Sequence, residues 1–200
     1  MKKKLKYQSI VVASHNKDKV QELRNLFSKF SIKIIPAKKL GLPEPEETGK
    51  TFEENAKIKS STATRLSNFP AIGDDSGLAI NKLKGKPGIY SARWAGPKRD
   101  FNLAFDKIFQ VLSKKKSYKA EFICAISLSQ PVENGFRTKT YVGKIRGKIS
   151  WPPRGGKGFG YDPLFTPDGH NVTFGEMDPA AKDRISHRGA AFKKFLDDIL

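Results

Sequence analysis

The chain has 200 residues, of which 38% are apolar, enough for one substantial hydrophobic core. Lys and Arg number 38 against 20 Asp and Glu, a formal charge of +18, so an anionic partner or a heavily solvated lysine surface has to be considered. A single cysteine excludes an intrachain disulfide, and the absence of any run near ~18 apolar residues argues against a membrane-spanning helix.

In chain order, Tyr7 to Ala13 reads as a strand, and the polar stretch Ser14-His15-Asn16-Lys17-Asp18-Lys19 leads into a helix with Val20, Leu23, Phe27 and Phe30 at helical spacing. Ser31 to Pro36 reads as a second strand, and Lys38 to Lys50 as a loop rich in Pro and Glu. Thr51-Phe52-Glu53-Glu54 has capping-box spacing: Thr51 is expected to accept from the backbone of Glu54, and Glu54 to reach back, opening a helix that runs to about Leu66. Short apolar segments at Phe69–Ile72 and Leu78–Ile80 flank Asp74-Asp75, and on its own the Gly-bounded Asp-Asp-Ser-Gly reads as a turn. Lys82 to Gly88 is turn-rich, and Phe101, Phe105, Ile108, Phe109 and Leu112 form a helical stripe ending at the Lys114 cluster. Tyr118–Leu128 and Phe136–Ile145 read as strands joined through Asn134-Gly135 by a loop longer than two residues. Arg154 to Asp162 is glycine-rich, and Ser186 is expected to cap a closing helix carrying Phe192, Phe195, Leu196 and Ile199 on one face. Interspersed strands and helices predict an α/β fold with a mixed sheet.

Four segments carry residue types suited to chemistry. Ser14 to Lys19 leaves a strand and enters a helix, offering backbone N–H groups and a lysine to phosphate, although it lacks the glycines of a Walker loop. In Arg154–Asp162, alternating glycines allow close approach while Phe159 and Tyr161 offer flat faces to a base. Lys182 to Arg188 places several donors near a helix start, and the acidic Glu44-Pro45-Glu46-Glu47 could combine with Asp75 into an oxygen-rich Mg²⁺ site. Each segment has a plain alternative: a solvated helix start, a flexible loop with core aromatics, chance in a basic chain, and an exposed acidic loop. His15, His170 and His187 lack zinc-ligand spacing. Cys124, in an alternating apolar run, reads as a buried small hydrophobe. Lysines occur in runs at Lys2–Lys4 and Lys114–Lys116 and singly elsewhere, which is not the focused stripe of a nucleic-acid binder.

Taken together and in order, "ASHNKDKVQEL", "EETGKTFEENAKIK", "GDDSGL", "KPGIYSARWAG", "GFGYDPLF" and "ISHRGAAFKKFL" resemble the inosine triphosphate pyrophosphatase, or Ham1-like, family from about residue 8 to residue 200. The resemblance implies one ITPase-like domain over residues 1–200, with a long twisted mixed sheet flanked by helices in two lobes around a central cleft, assembled as a homodimer. It implies Mg²⁺-dependent hydrolysis of ITP, dITP and XTP to the nucleoside monophosphate and pyrophosphate. Asp75 matches the family's general base and metal-associated aspartate, Ser76 a substrate contact, and Glu46 the other metal-binding acid, with Glu47 one alignment step away. Ser14, His15, Asn16, Lys17, Asp18 and Lys19 match the triphosphate loop. Phe159, Gly160, Tyr161, Asp162, Lys182, His187 and Arg188 match the base pocket. Ser14-His15-Asn16 departs from the usual Thr-Gly-Asn, putting a side chain where glycine permits close approach. On this reading Asp74 braces the loop, and Gly73 and Gly77 let the chain bend sharply to expose one carboxylate. A cytoplasmic protein with no membrane anchor is expected, because no apolar h-region follows the basic N-terminus. The rival readings are a pyrophosphatase for other modified nucleotides and a nucleic-acid-binding module, the latter leaving both acidic segments unexplained.

Overall fold

The computed structural model describes residues 6–113 and 117–200. The lysine runs Lys2–Lys4 and Lys114–Lys116 lie outside the described residues. The elements are β1 (Ser9–Val12), α1 (Lys17–Phe27), β2 (Lys33–Pro36), α2 (Phe52–Ser67), β3 (Ala71–Ile80), α3 (Ser91–Trp94), α4 (Phe101–Val111), β4 (Tyr118–Val132), β5 (Gly135–Ile149), β6 (Phe165–Pro167), α5 (Pro179–Ile185) and α6 (His187–Ile199). The strands form one six-stranded sheet in the order β2-β1-β3-β4-β5-β6. β1 pairs in parallel with β2, Ser9 opposite Lys33, and with β3, Val11 opposite Ala71, whereas β5 and β6 are antiparallel. The sheet is therefore mixed, with flanking helices, as the interspersed pattern predicts.

Local chemistry explains the element boundaries. Ile10, Val11 and Val12 are all fully buried, the continuous apolar run expected of a strand with parallel neighbours on both edges. Asn16 caps α1 by accepting from the N–H groups of Asp18 and Lys19, at 2.9 and 3.4 Å. Thr51 caps α2 by accepting from Glu54 N at 3.1 Å, and Asn68 ends that helix at φ 56°. The reciprocal half of the capping box is displaced by one residue, because the Glu54 carboxylate takes the N–H of Lys50 at 2.5 Å instead.

β3 corrects the reading of its sequence. Gly73-Asp74-Asp75-Ser76-Gly77 is the middle of a continuous ten-residue strand, and the chain makes no turn there. Both glycines serve close approach instead of bending. A Cβ on Gly73 would lie 2.1 Å from the carbonyl oxygen of Ala56 and 2.7 Å from Ser60 N, while one on Gly77 would lie 2.4 Å from Gly88 O. The hairpin strands also outrun their apolar cores, leaving only Glu133 and Asn134 between β4 and β5, with Gly135 at φ 116°. Ser186 closes α5, its N–H bonded to Lys182 O at 2.8 Å. The short α5 was signalled by Asp178-Pro179, an N-cap followed by proline in the first turn, which the apolar pattern alone does not reveal.

The chain divides into two compact units. The first contains the described residues up to Asp75 with Cys124–Gly143 and Arg188–Leu200, and the second Ser76–Ile123 with Lys144–His187. In the first unit Ile10, Val12, Leu23, Phe27, Ile72, Ile126, Phe192 and Phe195 share one core, and Phe27 meets Phe192 edge-on at 4.6 Å. In the second, Leu78, Ile80, Ile108, Leu164, Phe165 and Phe174 pack with Phe122.

Gly73→Ala is expected to destabilise the protein by about 1–3 kcal/mol or more, since its neighbours are α2 backbone atoms that cannot rotate aside. Gly156→Ala, whose Cβ would meet nothing within 4 Å, should stay within about 0.5 kcal/mol of wild type. Urea midpoints compared at constant m-value test both.

Candidate active site

Successive residues of a strand face opposite sides, and β3 uses this to give Asp74 and Asp75 separate surroundings. Both carboxylates are buried, so each needs charge compensation nearby. Asp74 is fully matched. Arg188, at the start of α6, donates from Nε to Oδ2 at 2.7 Å and from Nη2 to Oδ1 at 3.3 Å, and Lys19 Nζ on α1 lies 2.7 Å from Oδ1. The remaining guanidinium nitrogen of Arg188 pairs with Glu22, one turn along α1 from Lys19. The result is a chain of alternating charges running Lys19, Asp74, Arg188, Glu22. Burial alone would raise the Asp74 pKa, but Arg188 and Lys19 outweigh it and hold this carboxyl well below the usual range. Cys124 donates its thiol to Asp74 Oδ2 at 3.2 Å, and burial together with that carboxylate pushes the thiol pKa well up. This cysteine is a buried packing group with one polar contact, as its sequence context predicts.

Asp75 is compensated only in part. Lys59 on α2 places Nζ 3.3 Å from Asp75 Oδ1 and 3.1 Å from the backbone oxygen of Asp74, and also pairs with Glu47. Asn55 donates to Asp75 Oδ2 at 3.2 Å. Its amide orientation is fixed by the other end, where Asn55 Oδ1 accepts from Gly49 N at 2.8 Å. Burial raises the Asp75 pKa, Lys19 and Lys59 offset part of that rise, and Glu47 and Asp74 add to it. The carboxyl ends above its ordinary value, whereas its sequence neighbour lies below. For Lys59, burial works against the ammonium, but Asp75 and Glu47 overcome it and the net shift is upward.

Of the acidic loop, Glu47 is the residue brought to Lys59, while Glu46 is exposed. Glu44 lies 3.9 Å from His15 Nδ1. In the Ser14–Lys19 segment Ser14 is buried and accepts from Asn16 N at 3.2 Å, and Lys17 and Asp18 are exposed. The Asp18 and Lys19 N–H groups expected to face phosphate are engaged by the Asn16 cap. That leaves Lys19 as the segment's strongest contribution. Ser76 is half-buried and is the first β3 residue of the second unit.

The second unit gathers the glycine-rich and C-terminal segments. Asp162 is buried and accepts from Phe159 N at 2.8 Å and from Lys182 Nζ at 2.6 Å. The Lys182 ammonium also lies over the half-buried Phe159 ring, 5.3 Å from its centroid, and over Phe174 at 5.8 Å. Tyr161 is a structural residue here: its hydroxyl donates to Ser91 O at 3.0 Å and its buried ring packs edge-on against Phe101. Burial pushes its pKa up. Gly160 supplies the left-handed turn, φ 67°, between Phe159 and Tyr161. His187 is buried and stacks on Phe122 at 4.7 Å with 10° between the planes. Arg188, grouped with this segment in the sequence, is instead held in the first unit by Asp74 and Glu22.

Sequence reasoning missed Glu22, Asn55 and Lys59. A signal for two of them existed. The buried positions of α2 are Phe52, Asn55, Ala56, Lys59, Ser60, Ala63 and Thr64, an ideal helical stripe that is polar where a core stripe would be apolar. Lysine and asparagine on a buried face call for partners across the interface.

Buried carboxylates matched by buried cations on a mixed α/β sheet define a protein built to manage charge at its centre. The comparisons make the class specific: the Ham1 family model matches residues 10–198, and the chain belongs to the Ham1 family. It is 45% identical over 94% of its length to the dITP/XTP pyrophosphatase of Rhodospirillum centenum, covering 93% of that protein, and 48% identical over 92% to that of Caulobacter vibrioides, covering 94%. Among solved structures it is similar to a HAM1 protein from Coxiella burnetii, with TM-score 0.81 and 38% identity over 94% of this chain and 95% of that one. The Staphylococcus aureus Ham1 protein gives TM-score 0.81 and 36% identity, over 95% and 98% of the two chains.

Asp74→Asn is expected to cost about 3–5 kcal/mol at pH 7, because it leaves the buried Arg188 and the half-buried Lys19 against a neutral amide. The Asp74 pKa is lowered by folding, so its contribution is complete above the unfolded value near ~3.9 and disappears as pH falls through the folded one. The stability gap between wild type and Asp74→Asn should therefore hold from pH 7 to about pH 5 and narrow in stronger acid. Urea titrations at several pH values measure it, and a gap that widens on acidification would contradict the assignment.

Proposed function

We propose that this chain hydrolyses the non-canonical purine nucleoside triphosphates ITP, dITP and XTP to the nucleoside monophosphate and pyrophosphate, with residues 1–200 acting as one ITPase-like domain. The observation that carries the reading is the unequal treatment of two adjacent aspartates: Asp74 is held by both Arg188 and Lys19, whereas Asp75 shares the Lys59 ammonium with Glu47, takes only the Asn55 amide on its other oxygen and keeps a raised pKa. A carboxylate with that balance suits a general base. In the proposed reaction, water attacks the α-phosphorus and gives its proton to Asp75. The bond from the α-phosphorus to the α,β-bridging oxygen breaks, and pyrophosphate leaves. Lys19 and Lys59 offset the negative charge of the triphosphate. Arg188 acts by holding Asp74 and, through Glu22, the start of α1.

The oxygen donors Asp75 and Glu47 suit Mg²⁺, a hard ion usually bound by one or two carboxylates together with phosphates and water. The Lys59 ammonium on these same oxygens supports the reading, since it marks a place where positive charge is favoured. Geometry favours Glu47 over the exposed Glu46 in this role. When bound, Mg²⁺ would neutralise charge on the phosphate oxygens.

The base falls to Phe159, whose ring is the stacking face, and to Lys182 and His187 as donors toward a 6-oxo group. Asp162 positions Lys182. Donors expecting an oxygen are left unpaired by the 6-amino group of adenine, a penalty reaching about 10⁴-fold where such donors are buried. The dITP/XTP pyrophosphatase names of the relatives agree with this preference. A homodimer and a cytoplasmic location complete the proposal. Among the described residues no helix is long and apolar enough to cross a membrane.

Pyrophosphate release from ITP, dITP, XTP, GTP, ATP and dTTP, measured with Mg²⁺ and after chelation, tests the reading. Release from the first three, little from the rest and none after chelation is expected. Asp75→Asn should lower kcat by about 10²–10⁴-fold while the protein stays folded. Near-normal turnover by folded Asp75→Asn would remove Asp75 from the mechanism.

A further inference from the structure

Lys59 is 6% exposed, and its ammonium contacts both acids proposed to hold a divalent ion, together with the backbone oxygen of Asp74. Its place is fixed from several sides. Ser60, the next residue, bonds Ser129 Oγ at 2.9 Å and Ser127 Oγ at 3.2 Å, and Thr64 donates to Ser129 O at 3.0 Å, fastening α2 to β4. Gly73 lets α2 approach β3 closely, and Asn55 holds the other oxygen of Asp75.

We propose that Lys59 is the resident cation of the Glu47–Asp75 pair and competes with a divalent ion for it, so that metal enters together with a phosphate chain that draws the ammonium away. The inference rests on the metal reading given above. An ammonium and a divalent ion cannot share the same oxygens without strong mutual repulsion in a buried setting. A triphosphate resolves the conflict because it supplies oxygens to both cations. Lys59 would thereby keep the two carboxylates in position and neutralised while substrate is absent, and restrain metal binding in that state.

The test is Mn²⁺ binding to the full-length, nucleotide-free protein, followed by the electron paramagnetic resonance signal of the free ion. Lys59→Met should bind Mn²⁺ about tenfold more tightly than wild type or better, Lys59→Arg should resemble wild type, and Glu47→Gln added to Lys59→Met should abolish the gain. Equal or weaker binding by folded Lys59→Met would overturn the proposal. A second measurement needs no neutral substitution: the ¹⁵Nζ resonance of Lys59 in wild type, assigned by its loss in Lys59→Arg, should shift as Mg²⁺ is titrated. A resonance that stays fixed while the Glu47 and Asp75 carboxylate signals move would equally overturn it, since metal would then bind without displacing the lysine. Neither measurement uses turnover. Absence of pyrophosphate release by the wild-type protein together with tighter Mn²⁺ binding by Lys59→Met would remove the activity and leave the competition standing, and release by wild type without tighter binding by Lys59→Met would do the reverse.

Discussion

Everything at the centre of this protein follows from placing two adjacent carboxylates in a buried strand. A strand sends neighbours to opposite faces, so the direct contacts to the two carboxylates come from different cations and from two directions, with Lys19 acting on Asp75 only through its field. Asp74 is reached from α1 and α6, through Lys19 and Arg188, and Asp75 from α2, through Lys59. The two solutions differ in completeness. Asp74 receives a two-point guanidinium and an ammonium, while Asp75 shares its ammonium with Glu47 and takes only an amide on its other oxygen. On the proposed reading this asymmetry divides structure from chemistry between adjacent residues: the fully satisfied carboxylate is a fixture, and the half-satisfied one is the candidate base.

Helix α2 makes the second solution geometrically possible. Its buried face carries Asn55, Lys59, Ser60 and Thr64 among small apolar residues, and such a face is stable only if every polar group finds a partner. Ser60 and Thr64 find theirs on β4, and the hydroxyls of Ser127 and Ser129 are in turn bonded to Thr140 at 3.0 Å and Thr138 at 2.8 Å. Hydroxyl pairs of this kind tolerate little sliding, unlike an apolar interface, so they set the height and rotation of the helix. Gly73 supplies the clearance. The register of α2, and with it the reach of Lys59, is thus specified by hydrogen bonds and one missing Cβ more than by hydrophobic area.

How far the sequence discloses this depends on which interactions are local. The start of α2 was legible because capping by Thr51 spans three residues, and α1 together with the aromatic stripes of α4 and α6 because helical spacing is local too, whereas the Asn16 cap of α1 came only with the structure. The middle of β3 was not legible. Asp-Asp-Ser-Gly has turn composition, and only partners on other elements, from Lys59 on α2 to Arg188 more than a hundred residues away, make it worth keeping two charges in an extended buried strand. The capping box failed by one residue for a similar reason, since Glu54 serves the incoming loop that also carries Glu47 and Gly49. Glu22 and Lys59 escaped notice because lysine and glutamate on a helix default to solvent, and the ions that recruit them to the interior come from other elements. Tyr161 shows the converse error. An aromatic beside glycines suggested a stacking surface, yet its hydroxyl is consumed by Ser91 and its ring by the core.

The positive balance of the chain also takes a definite meaning from these contacts. The three lysines assigned to substrate are paired with acids in the folded protein: Lys19 with Asp74, Lys59 with Glu47 and Asp75, and Lys182 with Asp162. A surplus of +18 therefore does not translate into three bare cations awaiting an anion. The surplus acts at long range, raising the local concentration of polyanions, where salt screens it and one anion is hardly distinguished from another. On the proposed reading selection begins at contact, where an incoming phosphate must offer Lys19 and Lys59 oxygens as well placed as those of the carboxylates they already hold. A single small anion is less able to satisfy both lysines at once than a chain of linked phosphates, which carries several oxygens along its length. On that reading, pairing its own cations in advance would let a strongly basic protein attract anions broadly while reserving Lys19 and Lys59 for a ligand with enough oxygens to replace their carboxylates.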